Sequence, residues 1–303
     1  MLVRVFLPLA AFMSILFLLT PSTAVPDGTI HQEQSLYRNI YVTQLGDELC
    51  MVFRAHRSLG RESCKMLSNP DHFVFQYTRM MMSGLYLNPN PERILIIGLG
   101  GGSITAALQA MLPETEIDAV EIDVVVYRLA RDFFAFEPGP NTRVFIEDGR
   151  VFVRRALSRG EKYDLVLLDA FEADYIPEHM LTREFLEEVR TIMTPGGVVV
   201  ANTFSASALY DHESVTYRAV FGPFFNMKSG NRVIVGTTGE LPTDEAIRAN
   251  AQVWEDELER RGASPEFFLT LLDRRTDWDP EARILTDQYS PSNLLNAMPR
   301  RGF

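Results

Sequence analysis

Arg93-Ile94-Leu95-Ile96-Ile97-Gly98-Leu99-Gly100-Gly101-Gly102-Ser103 is the stretch whose reading decides the fold. Ile94 to Ile97 show no polar alternation, which predicts a strand covered on both faces, as in a parallel sheet. The glycines that follow predict a turn whose backbone takes φ > 0 and comes close to a ligand. The helix expected at residues 104–111 presents free N–H groups to that turn. A tight strand-to-helix connection needs glycines too, so the flanking pattern has to decide between the two readings.

Downstream, strands and helices alternate. Strands are expected at residues 116–122, 144–146, 163–168 and 198–202. Helices are expected at 124–134, 151–157, 181–193 and 214–221, with Pro195-Gly196-Gly197 closing the third of these. Two last strands, at 224–228 and 231–237, join through Ser229-Gly230. This is a doubly wound α/β pattern, a Rossmann-like fold with a seven-stranded sheet. Residues 240–274 read as charged helices on its outside.

Upstream, Asn88-Pro89-Asn90-Pro91 breaks the chain and marks a boundary. Residues 73–86 are apolar at helical spacing and rich in Met, as in a core helix. Residues 35–53 predict a β-hairpin turning at Leu45-Gly46-Asp47. Residues 25–35 read as a polar lead-in, and a loop is expected from the hairpin to Pro70. The expected organisation is a signal peptide or anchor at 1–24, a small N-terminal β-domain with a linking helix at 25–88, and the Rossmann-like domain with a C-terminal helical extension at 89–303.

Arg4, the apolar run at residues 5–19 and the small residues Ser22-Thr23-Ala24 form the pattern of a secretory signal, with cleavage expected after Ala24. A membrane span needs about 20 apolar residues, so an uncleaved anchor is the second reading. A cytoplasmic protein starting near residue 27 is the third. Cys50 and Cys64 either form a disulfide in an oxidising compartment or remain two buried thiols. The net charge of −11 argues against a nucleic-acid-binding face. The five histidines do not fall at ligand spacing, so no metal is expected.

The chemistry-bearing residues fall at the strand ends. Gly98, Gly100 and Gly102 follow the first strand. Glu121 and Ile122 end the second, where a carboxylate can accept both ribose hydroxyls of an adenosine. Asp148 and Gly149 follow the third, where Asp148 can accept from the adenine amino group. Three consecutive turns on the C-terminal edge of one sheet thus converge on a nucleoside. Helix N-caps are the plainer reading of Asp123 and Asp148. A nicotinamide fingerprint wants a glycine at Ser103. That mismatch and the closing hairpin favour an S-adenosyl ligand. After the fourth strand come Asp169, Glu172 and Asp174. Like charges this close raise one another's pKa, so the cluster makes sense if it receives a cation. One carboxylate could take a proton from a bound ammonium and free its lone pair. An exposed acidic loop is the alternative.

These motifs, from about residue 37 to 295, resemble the spermidine synthase (polyamine aminopropyltransferase) family, in its bacterial spermidine synthase-like branch. The resemblance is carried by Asn88-Pro89-Asn90-Pro91 before Ile94-Leu95-Ile96-Ile97-Gly98, by Glu121-Ile122-Asp123, by Asp148-Gly149-Arg150, by Tyr163-Asp164-Leu165-Val166-Leu167-Leu168-Asp169 and by Leu181-Thr182-Arg183-Glu184-Phe185. It implies aminopropyl transfer from decarboxylated S-adenosylmethionine to putrescine or a similar amine. Glu121 would hold the ribose, Asp148 the adenine, and Asp169 would be the base. Glu172 or Asp174 would bind the second amine, and Tyr289 would either close the pocket or sit in a capping turn. A homodimer is also implied. Three positions depart from the family pattern: Gly101 replaces an Asp that grips the aminopropyl ammonium, Phe75 replaces an aromatic hydroxyl, which Tyr77 could supply, and Glu62-Ser63 replaces Gln-Ser. Two other readings stay open: an S-adenosylmethionine-dependent methyltransferase, for which Gly101 leaves room, and a non-catalytic exported polyamine- or nucleoside-binding homologue.

Overall fold

The structure, a computed structural model, describes residues 27–53, 61–170, 176–203 and 206–300. The N-terminal unit is a four-stranded antiparallel sheet in the order β1 (Thr29–Gln34), β2 (Asn39–Leu45), β3 (Glu48–Val52), β4 (Arg61–Met66). The expected hairpin is its centre, β2 and β3, turning at Gly46 with φ +60°. The polar lead-in is instead strand β1, and part of the expected loop is strand β4. Both are edge strands. β1 has no buried position, so it lacks the apolar alternation that announces a strand. In β4 the polar Glu62 and Ser63 turn out to line a cavity. Cys50 and Cys64 lie directly opposite each other on β3 and β4 and form a disulfide.

The expected Met-rich helix is two short ones, α1 (Gln76–Met81) and α2 (Gly84–Leu87). Met80, Met81 and Met82 are buried, as the helical spacing implies. The break falls beside Gly84, where a Cβ would come within 2.8 Å of Leu165 and 3.0 Å of Val200. Only a glycine lets α2 press this closely on the large sheet.

That sheet has seven strands. In chain order they are β5 (Arg93–Ile97), β6 (Glu116–Glu121), β7 (Thr142–Ile146), β8 (Tyr163–Leu168), β9 (Met193–Thr203), β10 (Phe224–Ser229) and β11 (Asn231–Thr237). In space the order is β10-β11-β9-β8-β5-β6-β7, with β5 to β9 parallel and β11 antiparallel to both neighbours. Helices α3 (Ser103–Met111), α4 (Val124–Phe134), α5 (Gly149–Ser158), α6 (Arg183–Thr191) and α7 (Leu209–Phe221) make the crossovers. Ile94 and Ile96 pack into one core layer with Met80 and Leu108. Leu95 and Ile97 pack into the opposite layer with Phe152 and Phe185. Burial on both faces is why β5 carries no polar alternation.

Helix ends account for small differences from expectation. α5 begins at Gly149 because the Asp148 carboxylate accepts from the N–H groups of Arg150 and Val151. α6 begins at Arg183 because the Thr182 hydroxyl accepts from the N–H of Phe185. It ends before Pro195-Gly196-Gly197, which lie inside the long strand β9.

Beyond β11, α8 (Asp244–Val253), α9 (Glu255–Arg260) and α10 (Pro265–Leu269) lie against α2 and the sheet. The Trp254 indole N–H donates to the Pro89 carbonyl (2.9 Å), which pins the expected outer helices to the domain boundary. The last helix, α11 (Ser292–Asn296), leads into residues that reach the cavity rim. Residues 1–24, read above as a signal or anchor, lie outside the described residues. No described helix is long and apolar enough to cross a membrane.

Candidate active site

The strand order reverses between β5 and β8, which run side by side but lead to crossovers on opposite sides. Open α/β sheets bind ligands in the crevice at such a switch point. Here the two strand tips are tied together: the Asp169 N–H donates to the Ile97 carbonyl (2.8 Å). A Cβ on Gly98 would lie 2.2 Å from the Asp169 carbonyl oxygen, and Gly98 has φ +101°. The glycine is therefore required for both loops to leave the sheet together. Above them opens a cavity of about 1090 Å³, roofed by the N-terminal sheet and by α1.

One end of the cavity is lined by Gly98, Leu99, Gly100, Ser103, Glu121, Ile122, Asp148 and Gly149. Glu121 is buried at the tip of β6. Its Oε2 accepts from the N–H groups of Leu99 (3.1 Å) and Gly100 (3.4 Å), and its Oε1 from that of Asp123 (3.0 Å). Burial raises its pKa, and these amide hydrogen bonds only partly offset the rise. A carboxylate has about four acceptor sites, so beyond these three donors one ligand hydroxyl can still be accommodated. Half-exposed Ile122 supplies an apolar wall. Asp148 lines the cavity and has the helix-capping role of the plainer reading. Its Oδ1 caps α5, while its Oδ2 meets His179 Nε2 at 3.0 Å on the cavity wall.

The other end is built around Asp169. Asn202, at the end of β9, donates from Nδ2 to Asp169 Oδ1 (3.0 Å). Asn202 is itself oriented by Asn231, whose Nδ2 donates to Asn202 Oδ1 (3.3 Å). Among the described residues Asn202 is the one hydrogen-bond donor to this carboxylate. Burial pushes the Asp169 pKa up to about 7, helped by the negative charge of Glu62 and opposed by the Asn202 bond. Tyr77 also lines this end, and burial together with the Asp169 charge holds its hydroxyl protonated. Its ring stacks on Phe75, centroids 5.8 Å apart. Phe75 and Tyr77 thus share one wall of the cavity.

Not every expected residue reaches the cavity. Gly102 does not line it. A Cβ there would lie 2.5 Å from the Phe136 ring, so this glycine serves helix packing. Tyr289 is not a cavity residue either. It closes a turn with Thr286, and Arg283 lies 3.5 Å over its ring. Glu172 and Asp174 lie outside the described residues. Arg150 of the Asp-Gly-Arg motif faces away from ligand chemistry and ties α5 to Glu188 and Asp287. Four cavity residues escaped the sequence reading as functional: Glu62, Ser63, His179 and Asn202. Only Glu62-Ser63 carried a signal, as a departure from a family pattern.

The Spermine/spermidine synthase domain model matches residues 74–225. A polyamine aminopropyltransferase from Vibrio vulnificus (strain CMCP6) is 47% identical over 283 residues, covering 92% of this chain and 95% of that protein. Among solved structures, a probable spermidine synthase from Corynebacterium glutamicum ATCC 13032 superposes with TM-score 0.62 at 19% identity, covering 84% of this chain and 98% of that one. Human methyltransferase-like protein 13, in complex with SAH, superposes with TM-score 0.55 at 24% identity, covering 73% of this chain and 100% of that one. The two structural likenesses establish the fold, which serves more than one kind of transfer. The sequence relationship over nearly the whole chain goes further, and the chain belongs to the spermine/spermidine synthase family.

Proposed function

We propose that this chain is a polyamine aminopropyltransferase, moving the aminopropyl group of decarboxylated S-adenosylmethionine to a di- or polyamine such as putrescine. One observation carries the reading: a buried carboxylate, Asp169, sits beside the glycine turn with its pKa raised to about 7. The attacking amine arrives as an ammonium. Asp169 accepts one of its protons and frees the nitrogen lone pair. The nitrogen bonds to the propyl carbon next to the sulfonium. That carbon–sulfur bond breaks, and its electron pair returns to sulfur. The products are an extended polyamine, neutral 5′-methylthioadenosine and a proton. The sulfonium is already a good leaving group, so alignment supplies much of the rate. Glu121 and the Asp148 wall hold the adenosine so that the sulfur faces Asp169.

Calorimetry with 5′-methylthioadenosine and both forms of the donor tests this, followed by product analysis with putrescine. The decarboxylated donor is expected to bind at least tenfold more tightly than S-adenosylmethionine, with methylthioadenosine released on turnover. The opposite preference would make the chain a methyltransferase.

The disulfide favours the second reading, an exported binding protein, because donors of this type are made inside the cell. It also supports export as such. Two outcomes are expected of protein recovered from outside the cytoplasm. Cys50 and Cys64 should resist alkylation until reduced. Reduction should then cost about 3 kcal/mol of stability in denaturant titration, since the sequence separation is 14 residues. Methylthioadenosine release in the assay above excludes the non-catalytic reading whatever the compartment.

A further inference from the structure

We propose that His179 is a positioning residue that makes the site read the 6-amino group of the donor's purine, by holding the Asp148 carboxylate in one orientation. The inference rests on the transferase reading and names what sets the choice of base at the nucleoside end of that site.

His179 sits in a single 3-10 turn, Glu178–Met180, with its side chain on the cavity wall. Two contacts tie this turn to the start of α5. The buried Arg150 guanidinium donates to the His179 carbonyl (3.0 Å) while it grips Glu188 and Asp287. Met180 packs where Gly149 has no side chain: a Cβ there would lie 3.1 Å from Met180 Cε and 2.5 Å from Ile97 Cγ2. His179 and Asp148 thus keep a fixed spacing, although 31 positions separate them in the chain.

Both oxygens of Asp148 meet donors. Oδ1 accepts from the N–H groups of Arg150 (2.9 Å) and Val151 (3.0 Å). Oδ2 lies 3.0 Å from His179 Nε2, and a carboxylate oxygen accepts, so that nitrogen carries the proton. An oxygen of this kind has two lone-pair sites, which leaves one on Oδ2 at a fixed place in the cavity wall. The exocyclic amino group of adenine supplies a donor for it. A 6-oxopurine brings a carbonyl oxygen instead, and two acceptors then oppose each other. Without His179, Oδ2 is free to swing toward the ring N–H that a 6-oxopurine carries at N1. The His179 side chain is 46% exposed. A polar contact this exposed adds little to stability, so its consequence lies in the cavity it faces.

Calorimetry compares the Kd of 5′-methylthioadenosine with that of its 6-oxo counterpart, 5′-methylthioinosine, in the parent, His179→Ala, His179→Phe and His179→Gln. The parent is expected to prefer the 6-amino ligand by about 100-fold. His179→Ala should lower that preference about tenfold, with weaker methylthioadenosine binding. In turnover the loss should fall on the KM of the donor rather than on kcat, because Asp169 lies at the other end of the cavity. His179→Gln, whose amide can replace the lost donor, should restore part of the preference. His179→Phe keeps a ring without a donor and should behave like His179→Ala. An unchanged preference in His179→Ala would overturn the assignment, as would full preference in His179→Phe. Equal weakening of both ligands would also overturn it, since the ring would then only stack on the base. A parent that binds methylthioadenosine without preferring it sinks this inference alone. A parent that binds neither ligand sinks the transferase reading and takes this inference with it.

Discussion

Asp169→Asn is expected to lower kcat by about 10³-fold while leaving 5′-methylthioadenosine affinity within a factor of about three. The amide has the carboxylate's shape and can still meet the Asn202–Asn231 relay after a flip, so the loss isolates proton acceptance. The parent's pH profile supplies the partner test. A base must be ionised to act, so activity should rise as pH increases through about 7 and level off above it. In Asp169→Asn that limb should disappear. The stability consequence has the opposite sense. The folded state holds the Asp169 proton up to about pH 7, whereas the unfolded chain releases it near the ordinary value of 3.8. The folded state thus binds more protons across that window, and stability falls as pH rises through it. Asp169→Asn removes this penalty and should be at least as stable as the parent at pH 8. Thermal melts at pH 5 and pH 8 check the sign. Unchanged kcat would remove Asp169 from the mechanism.

Arg232→Met should be the most damaging stability change outside the cavity, costing about 3–5 kcal/mol and lowering Tm by roughly 10 °C. Arg232 lies on β11, and neither it nor Glu213 of α7 exposes its side chain. Its guanidinium donates to Asn226 Oδ1 (2.7 Å), the Tyr210 carbonyl (3.2 Å) and the Ser214 hydroxyl (2.7 Å). It lies 3.9 Å from Glu213 Oε2 and 3.9 Å from the Tyr210 ring centre. Methionine fills much of the volume but leaves these acceptors buried without that donor, and leaves the Glu213 charge without that guanidinium. Loss of the guanidinium charge beside the buried Glu213 carboxylate is the dominant cost, so Glu213→Leu in the Arg232→Met background should restore part of the loss. A denaturant series on the two single variants and the double variant measures the coupling. Purely additive losses would show that the pair does not act as a unit.

The parallel core was legible because its signals are local. Ile94 to Ile97 lie between two helical layers, so the strand is apolar on both faces and announces itself. Gly98, Glu121, Asp148 and Asp169 lie at or just past strand ends, and parallel strands bring their C-terminal ends to one edge. Strands β1 and β4 were not legible. One is an edge strand without buried positions, and the other spends its polar residues on a cavity. Tyr289 had two readings because a turn and a pocket wall look alike in a Tyr-Ser-Pro stretch, and the turn is the one found. Gly102 was misjudged because a glycine that spares a ligand and a glycine that spares Phe136 have the same letter.

The sequence by itself determined the alternating strands and helices, the glycine turn and the acidic strand tips that line one cavity. Periodicity and chain order suffice for these, since each depends on residues within a few positions. Tertiary structure alone decided what surrounds Asp169. Asn202 comes from a distant strand, and sheet pairing brings it to that carboxylate, while the docked N-terminal sheet closes the cavity around it. Burial of that carboxylate is a property of the assembled cavity, and burial is what moves its pKa to the range where it can take a proton from an amine.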